Sequence, residues 1–195
     1  MTYLPRTKRN TVAAVVALGV AFSVTAAGQA GAAPAERRAA AAPSYYLKFD
    51  KGTVTNSRLS LMQSVSGPDR VIKSYKAGSG TSTNTCAVGK GWLPNGKYRI
   101  EFRRTNFDGL INGYVIKVTD KRCHNGTKRT ELFIHSEMKP NGGQGRIESE
   151  KWTDTNPNDY YSNGCIKLNP TNIKALFAKA GSLGWSRVKG LVVTS

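Results

Sequence analysis

The sequence predicts a mostly-β domain, a β-rich sandwich or barrel-like fold on a curved antiparallel sheet, with one or two short helices. Three observations point there. Short runs alternate apolar and polar residues, Gly, Pro, Asn and Asp clusters bound them, and a single amphipathic stripe near the C-terminus has helical spacing.

The first run, 45–49, ends at Asp50-Lys51-Gly52, and the second, 59–62, ends at Ser66-Gly67-Pro68-Asp69. Run 71–75 alternates before Ala77-Gly78-Ser79-Gly80, and runs 98–102, 114–118 and 132–134 follow. Such close spacing suits antiparallel strands better than parallel βαβ units. The helix is signposted by Asn169 as cap, Pro170 in the first turn, the stripe Ile173, Leu176, Phe177 and Ala180, and Gly181 as stop. A short run at 190–193 closes the sheet.

The N-terminal stretch lies outside this pattern. Arg6, Lys8 and Arg9 precede an uncharged apolar run, and Ala30-Gly31-Ala32 offers a cleavage site, so residues 1–32 read as a secretory signal peptide. The run is diluted by small residues and barely long enough to span a bilayer, so no stable membrane anchor is expected after cleavage. Residues 33–43 form an Ala/Pro-rich linker, and 44–195 the folded domain. A secreted or wall-bound location follows.

Cleavage lowers the formal net charge from +17 to +14, which favours polyanionic partners. For an exported chain these are anionic wall polymers or lipid. The charges are scattered and no nucleic-acid-binding signature is present, so nucleic acid is not expected as a partner.

Three cysteines leave one over after a single bridge. Cys86 and Cys123 lie in polar stretches that read as surface loops, and a bridge between them would stabilise the fold by about 4 kcal/mol in the chain-entropy model. Cys165 is then a free thiol in an oxidising compartment, a liability unless buried or used. A cysteine nucleophile needs an imidazole and N–H donors for the oxyanion, and only His124 and His135 are available. His135 follows the apolar run Leu132-Phe133-Ile134, where a rigid strand would fix its ring. His124 sits in a charged loop, so His135 is the better base. Asn163-Gly164 before Cys165 allows the sharp turn that exposes a nucleophile. No Cys or His pair shows zinc spacing, so neither a metal nor another cofactor is expected.

Phe133-Ile134-His135-Ser136 and Ser162-Asn163-Gly164-Cys165-Ile166-Lys167-Leu168 together resemble the YkuD-type L,D-transpeptidase family. Leu93-Pro94-Asn95-Gly96-Lys97-Tyr98-Arg99-Ile100 is similar to a third family segment. The resemblance implies a thiolate at Cys165, paired with His135 as general base and oriented by the Ser136 carbonyl. It also implies oxyanion N–H groups from Gly164 and Cys165, and peptidoglycan stem peptides as substrate. Ser162, Asn163 and Lys167 would then contact substrate, and the protein would act as a monomer.

Asn163 stands where the family usually has a second histidine, and Lys167 where it usually has arginine. The stretch from His135 to Ser162 is longer than usual and carries Glu148, Glu150, Asp154 and Asp159 around Trp152. It reads as a solvated loop, with a lid whose carboxylates bind an amine as the sharper alternative. Rival readings are a stem-peptide carboxypeptidase or endopeptidase, a sortase, and a non-catalytic cationic wall-binding module.

Overall fold

The computed structural model describes residues 42–153 and 157–195. The expected signal peptide, linker residues 33–41 and Asp154 lie outside the described residues. Three strands open the domain: β1 (Ser44–Asp50), β2 (Ser57–Ser64) and β3 (Arg70–Ser79). After a long loop come β4 (Gly96–Tyr98), β5 (Ile100–Phe107), β6 (Gly113–Val118), the small ribbon β7 (Lys121–Arg122) and β8 (Lys128–Arg129), and β9 (Phe133–His135). Then follow β10 (Ile166–Lys167), helix α1 (Pro170–Leu183) and β11 (Val188–Thr194).

The fold is mostly β. Nine strands form one sheet in the order β4-β11-β1-β2-β3-β10-β9-β6-β5, and β7 pairs only with β8. Alternation sets the inward face: Tyr45, Leu47 and Phe49 of β1 are buried, as are Leu59 and Leu61 of β2. These side chains share a core with Ile116, Ile134, Ile166 and the α1 stripe Ile173, Leu176, Phe177 and Ala180. Each buried Leu, Ile or Phe among them contributes about 1.5–3 kcal/mol by leaving water.

The sheet is mixed, where a purely antiparallel one was expected. β1 runs parallel to β11, and β9 runs parallel to β10. A parallel neighbour needs a crossover of about a dozen residues or more. The long stretch between His135 and Ser162 supplies one for β9 and β10 with no α-helix among its described residues, so no βαβ pattern marks it.

Helix α1 starts as expected, with the Asn169 side chain accepting the Asn172 N–H at 2.7 Å and Pro170 in the first turn. It does not stop at Gly181. The chain stays helical to Leu183, and Gly184, at φ 86°, ends it. Trp185 then packs on Phe177, ring centroids 5.1 Å apart.

Cys86 and Cys123 are joined in a disulfide with a Cα–Cα separation of 5.4 Å. Both half-cystines are in loops but are buried, 9% and 7% exposed, and not at the surface as their polar neighbours suggested. The bridge ties the loop before β4 to the β7–β8 ribbon. Replacing it by Cys86→Ala with Cys123→Ala should lower the unfolding free energy by about 2–4 kcal/mol, measured by urea denaturation.

Candidate active site

Strand pairing assembles the site. In the parallel register Ile166 faces Ile134 and Lys167 faces His135, and Leu168 N–H donates to the His135 carbonyl at 3.0 Å. Side chains alternate along each strand, so Ile134 and Ile166 enter the core. Phe133, His135, Cys165 and Lys167 take the other face and line one cleft of ≈ 460 Å³. Ser136, Ser162 and Asn163 line it too, so the sequence-predicted residues converge around it.

Gly164 precedes the cysteine at φ 114°, a conformation that favours glycine. A Cβ there would also collide with the Arg129 guanidinium. Ser162 Oγ accepts from Gly80 N–H at 2.8 Å and Gly164 N–H at 3.1 Å, and donates to the Cys165 carbonyl at 2.6 Å. Ser162 therefore braces the turn, and its hydroxyl is not free for substrate as expected. The same bond occupies Gly164 N–H, which was expected to serve the oxyanion. Ser79, at the end of β3, holds the Gly164 carbonyl at 3.3 Å.

His135 is buried, and its Nδ1 lies 3.0 Å from the Ser136 carbonyl. A carbonyl only accepts, so Nδ1 carries the proton and Nε2 is the basic nitrogen. Lys167 was expected to meet substrate. Instead it is buried in a salt bridge with Glu137, which the sequence reading passed over. Burial pushes the Glu137 carboxyl up and Lys167 pulls it back. Asn163 is exposed at the cleft edge.

The resemblance implies a thiolate–imidazolium pair, but burial of both groups favours the neutral one. Burial pushes the Cys165 thiol up to about 11, against the opposing pull of the Phe133 backbone, Lys117, Lys167 and Arg129. Burial, then the nearby Lys167 charge, lowers His135 to about 4, against the Ser136 carbonyl. The thiol donates to the Glu131 carbonyl at 3.5 Å. Glu131 is the positive-φ non-glycine residue among those described, at 52°, and lies in the cleft wall.

Two further features escaped the sequence reading. Arg129 is 2% exposed, and its guanidinium donates to the carbonyls of Thr85, Gly91 and Trp92. No carboxylate lies within ion-pair distance of it among the described residues, and its charge favours the Cys165 thiolate. In sequence, Lys128-Arg129 looks like ordinary solvated charge. The other feature is an apolar rim from the β5–β6 turn, Phe107, Leu110 and Ile111, with Leu110 99% exposed. Apolar Leu110-Ile111 inside an Asp/Gly/Asn turn was a readable signal.

Residues 64–189 match the YkuD family, described as the L,D-transpeptidase catalytic domain. The chain belongs to this family. Among solved structures it is similar to Bd1075 of Bdellovibrio bacteriovorus (15% identity, TM-score 0.50, covering 77% of this chain and 48% of that one). It is also similar to a mutant form of the helical cell shape determining protein Pgp2 from Campylobacter jejuni (17% identity, TM-score 0.51, 78% and 46%). At these identities the likeness shows the fold, and the chain spans about half the length of each. No curated protein matches it.

The raised thiol predicts that iodoacetamide modifies Cys165 slowly at neutral pH and faster with rising pH up to about 11. Arg129→Met should move this alkylation profile to higher pH, while Arg129→Lys should hold it near the wild type. His135 predicts a stability effect of definite sign. Its ordinary value of 6.5 falls to about 4 in the fold, so the unfolded chain binds a proton the folded chain refuses, and stability drops as pH falls through that window. His135→Gln should flatten the drop in urea unfolding. Glu137 titrates in both proteins and cancels in the comparison.

Proposed function

We propose that this chain is an exported acyltransferase acting on peptidoglycan stem peptides through a thioester on Cys165. The supporting observation is the free cysteine immediately before β10, lining one cleft with His135 of the adjacent parallel strand β9. Family membership supports the same substrate class.

In the proposed reaction, Cys165 Sγ attacks the carbonyl of the third stem residue and its proton passes to His135 Nε2. The C–S bond forms, the amide bond to D-Ala breaks, and the departing amine takes the proton from His135. An acceptor amine then attacks the thioester and gives a proton to His135, the C–S bond breaks, and His135 returns that proton to the departing Sγ. Because the resting pair is neutral, transfer from Sγ accompanies attack instead of preceding it. Substrate filling the cleft displaces water and strengthens the pull of Arg129 on the developing thiolate.

Water in place of the amine gives the hydrolase reading with the same intermediate. Secretion rests on residues 1–32, and the domain acts as a monomer in this reading. Anionic wall polymer would bind the basic groove of ≈ 600 Å³ that includes Lys48, Lys51, Arg58 and Lys76 and shares no lining residue with the cysteine cleft.

Release of D-Ala from a stem tetrapeptide tests the choice of base. His135→Gln should lower the rate about 10²–10⁴-fold. His124→Gln should leave it near the wild-type rate, since His124 packs on the disulfide with Nδ1 3.5 Å from Cys86 Sγ. Equal losses in both variants would overturn the assignment. Separating the muropeptide products shows whether amine or water takes the acyl group.

A further inference from the structure

Behind the wall of the cysteine cleft, three carboxylates from separate segments converge. Glu137 follows β9, Glu148 lies in the 3₁₀ turn Glu148–Glu150, and Asp159 in the 3₁₀ turn Pro157–Tyr160. One oxygen from each lies within 4.8 Å of the others. Glu137 and Asp159 are 6% and 2% exposed, whereas Glu148 is open to solvent.

Each buried carboxylate has one oxygen anchored by the protein. Glu137 Oε1 is held by Lys167, and Asp159 Oδ2 accepts from Thr153 N–H at 2.6 Å and Thr153 Oγ1 at 2.9 Å. Glu137 Oε2 is buried with no hydrogen-bond partner among the described residues. A buried carboxylate oxygen left unpaired is costly, and a native fold that keeps one implies a missing partner. Lys167 is the single cation in ion-pair contact with the cluster among the described residues. Three negative charges against one positive leave a deficit of two, the charge of a divalent cation.

We propose that Glu137, Glu148 and Asp159 bind a divalent cation of the calcium or magnesium class. The donors are all oxygen, which suits hard cations and not zinc. The pattern carries no Cys or His, which is why the zinc-spacing criterion predicted no metal. The ion would tie the turns Glu148–Glu150 and Pro157–Tyr160 to the end of β9, where Gln144 already bonds the Glu137 carbonyl at 3.0 Å and the Trp152 N–H at 2.7 Å. Its role is to hold one wall of the cleft in place, and it takes no part in acyl transfer.

Calorimetric titration of chelator-treated secreted protein with calcium chloride tests this without substrate. We expect one site with a Kd of about 0.1–1 mM, the range of extracellular calcium modules. Glu148→Gln, an exposed change that leaves packing intact, should weaken it about tenfold or more, and Asp159→Asn should weaken it further. Calcium should also slow tryptic cleavage after the exposed Arg146 and Lys151, and should not do so in Glu148→Gln. No heat with calcium or magnesium, or equal heat in wild type and both variants, would overturn the proposal. Binding of a lysine-like diamine with none of calcium would overturn it in favour of an ammonium site.

Discussion

The pairing of β9 with β10 is the constraint on which the site depends. Two short strands are joined by Ile134 against Ile166 and His135 against Lys167; β9 ends in His135, and Cys165 immediately precedes β10. Their core faces are apolar and fully buried, so a slip of one residue would expose Ile134 and Ile166 and bury His135 and Cys165 in the wrong layer. The hydrophobic core thus enforces the register that brings thiol and imidazole to one cleft. Helix α1 begins three residues past β10 and packs its stripe on the same core, which fixes β10 from its far end.

Around this pairing the protein buries charge in an unusual way. Arg129 is satisfied by backbone carbonyls alone, and Lys167 is spent on Glu137. Both cations sit close enough to Cys165 to favour its thiolate, yet burial outweighs them and the resting thiol stays protonated. A neutral thiol is also slower to oxidise. The turn that presents it is built for position: Ser162 and Ser79 hold the backbone on either side of Gly164, and Arg129 leaves room for no side chain there.

Much of this was readable from local pattern. Alternation located the main strands, Asn169 and Pro170 located the start of the helix, and an odd cysteine count isolated Cys165. The strand ending in His135 separated it from His124. What local pattern lacks is pairing across long stretches of chain. The parallel β9–β10 contact, the Lys167–Glu137 bridge and the burial of Arg129 all depend on segments that meet only after folding. Gly181 reads as the helix stop because it comes first, whereas the left-handed turn falls at Gly184. Ser162 looked like a substrate contact because a hydroxyl in a polar turn says nothing of the three backbone groups that occupy it.

The proposed reaction requires that Cys165 is the acylated residue. Intact-protein mass spectrometry after incubation with a stem tetrapeptide or a carbapenem, followed by peptide mapping, tests it most directly. One stoichiometric adduct is expected on the peptide containing Cys165, absent in Cys165→Ser, with the Cys86–Cys123 bridge intact. An adduct on another residue, or none on folded protein that still binds cell wall, would contradict it.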